Sequence, residues 1–146
     1  MIENLMITEN RVVDCVVSYL ESIGFLIEST CSTMEKGVDI VAKKDSKRLL
    51  IEAKGATTSK DTSRRGKPFS RNQITNHISR AIFKALQMKE CEAESIIAIA
   101  LPYTKTHLET IQTVEKTLNN LEIITIWCDG ANISLDGNDR ILAQLK

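Results

Sequence analysis

Asp39, Glu52 and Lys54 are the residues of this chain best placed to do chemistry. They sit inside two short apolar runs, Gly37-Val38-Asp39-Ile40-Val41-Ala42 and Leu49-Leu50-Ile51-Glu52-Ala53-Lys54-Gly55. Read as strands, these runs send alternate side chains to opposite faces, so Glu52 and Lys54 point one way and Ala53 the other. The polar stretch from Lys43 to Arg48 folds the second run back on the first and brings Asp39 beside Glu52. Two carboxylates and an ammonium then meet on a patch that is otherwise Ile, Val and Leu. Burying such charges without partners is costly. A divalent cation held by the two carboxylates, with the lysine beside it, removes that cost and gives the group a use. The plainer alternative is a cross-strand ion pair on a wetted face. The apolar neighbours speak against it, because a strand exposed on one face alternates polar and apolar residues.

The elements that must position these residues can be read around them. A helix is expected over Glu9–Ser22, stopped by Gly24, with Val12, Val13, Val16, Val17, Leu20 and Ile23 as its apolar stripe. Glu9 falls near the centre of that stripe, one turn earlier, while Asp14 falls on the far side. Strands are expected over 25–31, 38–43 and 49–54. A second long helix starts after Ser70, which with Gln73 makes an S-x-x-Q capping pattern. Its buried stripe is Ile74, Ile78, Ala81, Ile82 and Ala85, and Gln73, His77 and Lys84 form a polar ridge beside it. A fully apolar strand follows over 95–101, ended by Pro102. The remainder predicts a helix capped by Thr106 with Glu109 and running to Asn119-Asn120, then a strand over 122–128. A terminal hairpin is expected around Asp136-Gly137, with 133–135 and 141–145 as its arms. Trp127 reads as a core or rim residue. The order is α/β, with a mixed sheet whose first three strands form an antiparallel meander.

Asp39, then Glu52-Ala53-Lys54 with twelve residues between the two acids, resembles the active-site signature of the PD-(D/E)XK nuclease superfamily, the restriction-endonuclease-like fold. The proline that often precedes the Asp is replaced by Gly37-Val38. The wording G-x-D-I-V-A and I-E-x-K-G is most similar to the Mrr-like and Holliday-junction-resolvase-like branches. The resemblance covers about residues 9–101 and implies an αβββαβ core flanked by helices, extended at its C-terminus. It further implies Mg²⁺ or Mn²⁺ held by Asp39, Glu52 and the carbonyl of Ala53, with Lys54 acting on the attacking water and the transition state. Families of this kind often carry a metal-assisting Glu on the first helix. The matching slot here is Val13, and Glu9 lies one turn earlier; a helix-start acid favoured by the macrodipole is the alternative. In the RecB-like branch a Gln and an aromatic four residues on face the site, and Gln73 and His77 resemble that pair. Gln73 as a plain capping residue and His77 as a half-exposed helix histidine are the alternatives.

From Lys54 through Arg71 the chain carries six basic residues, Lys54, Lys60, Arg64, Arg65, Lys67 and Arg71, against one acid, Asp61. This aperiodic, hydroxyl-rich stretch is placed to grip a phosphate backbone, and a solvated surface loop is the alternative. From Leu108 onward acids outnumber bases six to three, so charge is polarised although the net charge is zero.

At 146 residues and 42% apolar content, one domain spanning 1–146 is expected. Cys15, Cys31, Cys91 and Cys128 have no CxxC spacing and read as reduced thiols; with His77 and His107 they show no zinc-ligand pattern. No apolar run reaches membrane-span length and no leader pattern opens the chain, so a soluble, cytoplasmic protein is expected, with no membrane partner and no small-molecule cofactor. The functional expectation is a Mg²⁺-dependent DNA endonuclease. A catalytically inactive nucleic-acid-binding or assembly module on the same fold is the alternative. Two-fold dimerisation suits the cutting of both strands of a duplex.

Overall fold

The computed structural model describes residues 5–31, 37–57 and 68–146. The elements are α1 (Glu9–Ser22), β1 (Leu26–Thr30), β2 (Ile40–Lys44), β3 (Lys47–Ala53), α2 (Arg71–Cys91), β4 (Ile96–Pro102), α3 (Lys105–Gln112), α4 (Glu115–Asn120), β5 (Ile123–Cys128), β6 (Ile133–Asp136) and α5 (Asp139–Ala143). The six strands form one mixed sheet in chain order. β1, β2 and β3 are an antiparallel meander, β3, β4 and β5 are parallel, and β6 returns antiparallel on β5. The expected α/β class and αβββαβ order are both present.

Local chemistry explains the boundaries. β2 turns into β3 through Asp45-Ser46, with Lys44 paired to Lys47 and Asp45 at φ 55, a conformation that Asp tolerates better than most residues. α1 ends where Gly24 adopts φ 97. α2 starts at Ser70, whose hydroxyl accepts from Gln73 N–H while the Gln73 carboxamide accepts from Ser70 N–H, a complete capping box.

Two apolar layers cover the sheet. Ile40, Ala42, Leu49, Ile51, Ala53, Ala98 and Ala100 face α1 and α5; Val41, Leu50, Ile97, Ile99, Leu101 and Trp127 face α2, α3 and α4. By strand alternation Asp39, Glu52 and Lys54 belong to the α2 face. Trp127 is a core residue, with its indole N–H donating to Asp136 at 2.8 Å.

Three expectations are corrected downstream of β4. The third helix is capped by Thr104, not Thr106: the Thr104 hydroxyl accepts from His107 N–H at 3.1 Å and also touches the His107 ring. That helix is two, α3 and α4, divided where Val114 leaves helical geometry at φ −129, ψ 10. Just before it the Thr113 hydroxyl bonds to the Thr110 carbonyl, the kind of local bond with which Thr competes against helix. The second arm of the terminal hairpin is helical. Asn138 caps α5 through Arg140 N–H, and Ile141 and Leu145, four apart, both bury in the α1-side core. The antiparallel hairpin is instead made by β5 and β6. All four cysteines are free, and burial pushes the Cys128 thiol up to about 12. No helix among the described residues is long and apolar enough to cross a membrane.

Candidate active site

The site is built at one end of the β2–β3 pair. Ile40 lies opposite Ile51, so Asp39, one residue before β2, stands opposite Glu52. Asp39 is held from two sides: its carbonyl accepts from Cys31 N–H at 2.9 Å, and its carboxylate Oδ2 accepts from Ala53 N–H at 2.7 Å. Charge-assisted bonds of this kind are among the stronger ones. In an antiparallel ladder the N–H and C=O of one residue face the same neighbour, so the Ala53 carbonyl also opens toward the Asp39 side.

Asp39 is 8% exposed and Glu52 9%. Lys54 Nζ lies 3.3 Å from Glu52 Oε2. Burial first, and then the neighbouring Asp39, push the Glu52 carboxyl up to about 7, with Lys54 offsetting only part of the rise. One ammonium therefore does not balance two crowded carboxylates. A hard divalent cation would, and the oxygen donors of Asp39, Glu52 and the Ala53 carbonyl suit one. Among the described residues, no cluster of three or more Asp, Glu, His or Cys side chains is gathered in metal-binding geometry.

Glu9 opens α1 beside the site. Gly55, directly after Lys54, packs so closely on this helix start that a Cβ there would lie 2.3 Å from Glu9 N and 2.7 Å from the Thr8 carbonyl carbon. Ala56 N–H bonds the Ile7 carbonyl at 2.7 Å, Thr57 bridges to Thr8, and Phe69 N–H bonds the Ala56 carbonyl at 3.1 Å. The N-termini of both long helices therefore abut the segment leaving β3. Gly55→Ala is expected to cost about 1–3 kcal/mol or more through overpacking against backbone. At roughly 3 °C per kcal/mol for a chain of this size, thermal melting reads it directly, and an unchanged Tm would refute the close approach.

α2 covers the α2-facing side of the site. His77 is half-buried, its ring meeting Phe69 edge-on at 4.5 Å between centroids. Its pKa is lowered by burial first and then by the charges of Lys54 and Arg80. Gln73 commits its carboxamide oxygen to the N-cap, as the capping alternative holds. Arg71 is exposed at the first turn of α2. Lys60, Arg64, Arg65 and Lys67 lie outside the described residues.

Two residues near the site carry no signal in the sequence. Arg80 is exposed on α2 one turn beyond His77. His107 is completely buried, with Nδ1 2.6 Å from the Thr104 hydroxyl. The same oxygen accepts the His107 backbone N–H at 3.1 Å, and which partner donates in the ring–hydroxyl contact follows the ring tautomer. Nε2 has no partner among the described residues. Burial pushes the ring down to about 4, with a smaller contribution from His77, so it is neutral at pH 7. Only the N-cap geometry at Thr104 could have flagged it, and that depends on a helix start two residues earlier than the expected one.

Neither a family model nor a curated protein sequence matches this chain. Among solved structures, an XisH family protein from Nostoc punctiforme superposes with a TM-score of 0.53 at 15% identity, covering 86% of this chain and 98% of that one. The fold of this chain is similar to that of an XisH-family protein. An FdxN element excision controlling factor protein from Anabaena variabilis gives 0.48 at 15% identity over 87% and 96% of the two chains. At such identity the likeness concerns the fold alone.

Proposed function

We propose that this chain is a divalent-metal-dependent DNA endonuclease of the PD-(D/E)XK type, nearest in motif wording to the Mrr-like and Holliday-junction-resolvase-like branches. The observation that carries the reading is the pairing of two nearly buried carboxylates, Asp39 and Glu52, with Lys54 3.3 Å from one of them. A fold stabilises such a pair poorly unless the site has a use.

Asp39 and Glu52 would hold Mg²⁺ or Mn²⁺ together with the Ala53 carbonyl. Bound there, the cation supplies positive charge that neutralises the phosphate under attack and acidifies the attacking water. Asp39 is kept in place by the Ala53 N–H, so its free oxygen needs little reorganisation. Lys54 shares a face with Glu52 and presents its ammonium where negative charge builds up on the phosphate oxygens. His77 borders that space on the α2 side. The helix N-termini beside Gly55–Thr57 add a field favourable to an anionic backbone.

A nuclease assay tests the reading: single-stranded, duplex, nicked and branched DNA, and RNA, incubated with Mg²⁺, Mn²⁺ or EDTA. Metal-dependent cleavage of DNA is expected. A protein that binds DNA and cuts nothing with either metal is the inactive module instead. Lys54→Ala is expected to retain Mg²⁺ binding by calorimetry and to lose roughly 10²–10³-fold in single-turnover cleavage. Near wild-type rates would leave Lys54 as a partner for Glu52 and nothing more.

A further inference from the structure

The outward face of α2 carries a second pattern. From Arg71 to Lys89 this helix holds four basic residues and no acid. With about 100° per residue, Lys84, Arg80 and Phe83 lie about 20°, 60° and 120° round from His77, all turning away from the buried stripe of Ile74, Ile78, Ala81, Ala85 and Met88. Their exposure follows that order: Lys84 is half-buried, Arg80 is exposed, and Phe83 is 62% exposed. His77 meets the ring of Phe69, whose N–H bonds the Ala56 carbonyl two residues beyond Lys54, so the ridge starts beside the candidate site and runs outward. From His77 to Lys84 it covers about 10 Å of helix, long enough to follow two or three consecutive phosphates.

With 62% of its surface exposed, the phenyl ring of Phe83 is mostly outside the core, and a helix face needs no aromatic there for solubility. Beside Arg80, on the outer flank of the two cations, it gives the face a mixed character. The cations suit a phosphate backbone, and the ring suits the face of an unstacked base. Bases inside a duplex are already stacked on one another and cannot use it, whereas single-stranded or unpaired nucleotides can.

We infer that Arg80, Phe83 and Lys84 form a track for a single-stranded stretch of nucleic acid adjoining the Asp39–Glu52 site, with Arg80 and Lys84 on phosphates and Phe83 stacked on a base. The inference rests on the nuclease reading and narrows its substrate to one with unpaired nucleotides beside the cut. The charge of the ridge matches this partner, and the absence of any acid over nineteen residues of helix removes the repulsion that a polyanion would otherwise meet.

The test is binding of a fluorescein-labelled twenty-nucleotide oligothymidylate, and of a twenty-base-pair duplex, measured in EDTA across a salt series. Wild type is expected to bind the single strand. Phe83→Ala should weaken that binding by roughly tenfold or more without changing the salt slope or the duplex affinity. Arg80→Gln with Lys84→Gln should flatten the single-strand slope by about 1.4 log units, at about 0.7 per lost phosphate contact. All variants should melt with the wild type, since the three side chains lie outside the core. Three results overturn the inference. The first is a wild type that does not bind the single strand; the second is variants that bind it as wild type does. The third is a Phe83→Ala protein that loses self-association in sedimentation while DNA affinity holds, which makes the face a contact between copies of this chain. The two readings fail separately. Cleavage that persists alongside unaltered binding in the variants sinks the track alone, whereas binding that depends on the ridge without cleavage of any substrate sinks the nuclease.

Discussion

Asp39→Asn is expected to reduce metal-dependent cleavage by at least roughly 10²–10³-fold while leaving the protein folded. The choice of Asn follows from the structure. The Asp39 carboxylate accepts the Ala53 N–H at 2.7 Å in a buried setting. Truncation to Ala would strand that N–H and cost about 1–3 kcal/mol, confusing lost activity with lost stability. Asn keeps an acceptor oxygen for Ala53 and removes the charge that would hold a cation. The same logic makes Glu52→Gln the partner variant. Calorimetric titration with Mg²⁺ and Mn²⁺ gives the independent readout: wild type should bind in the millimolar range or tighter, and both variants should bind markedly more weakly. A wild type that takes up neither metal, or an Asp39→Asn protein that cleaves normally, would remove the basis for the proposed chemistry.

Glu52→Gln should also be more stable than wild type in the metal-free protein at pH 8, by on the order of 3 kcal/mol. The Glu52 carboxyl moves from 4.5 to about 7 on folding, and each unit is about 1.4 kcal/mol. Because its folded pKa is raised, the native state binds the extra proton, and stability present below pH 4.5 is lost as pH rises to 7. Gln mimics the protonated acid and escapes that loss. His107 works in the opposite sense. Its ring moves from 6.5 down to about 4, so its contribution is present above pH 6.5 and is lost as pH falls to 4. Between pH 4.5 and 6.5 the two slopes nearly cancel, and wild type should show a flat plateau there before declining toward pH 7. Glu52→Gln should instead climb steadily from pH 4 to 6.5 and then level off. Denaturant melts in EDTA across pH 4–8 measure both curves. Saturating Mg²⁺ at pH 8 should stabilise wild type and barely affect the variant. Superimposed curves at pH 8 would mean that Glu52 is not held in the crowded, desolvated state its surroundings impose.

Much of this architecture is legible from residue order alone, because the signals are local. Glu9–Ser22 follows from one apolar stripe and a glycine stop, and the start of α2 from Ser70 and Gln73 three apart. Alternation along two apolar runs places Asp39, Glu52 and Lys54 together, since a strand's period is two and a tight turn sets its register. That Ala53 points to the other layer follows from the same rule. The C-terminal third resists this reading. Thr104 and Thr106 are equally good caps on paper, and the choice goes to Thr104, whose hydroxyl also serves a buried histidine. Ile141 and Leu145 fit a strand arm or a helix turn, and packing against the α1-side core selects the helix.

The chemistry divides the same way. Residue types and spacing determine which side chains compose the site, because strand alternation and a single turn are enough to assemble them. Tertiary structure alone decides their energetic state. Desolvation of Glu52 comes from layers contributed by α2 and β4, and the close seat of Glu9 against Gly55 comes from a contact forty-six residues apart. The neighbourhood of Lys54, His77 and Arg80 arises because α2 packs over β3, and the neutrality of His107 because α3, packed against α2, buries it. Burial and long-range charge are sums over neighbours from the whole chain, and no local pattern contains them.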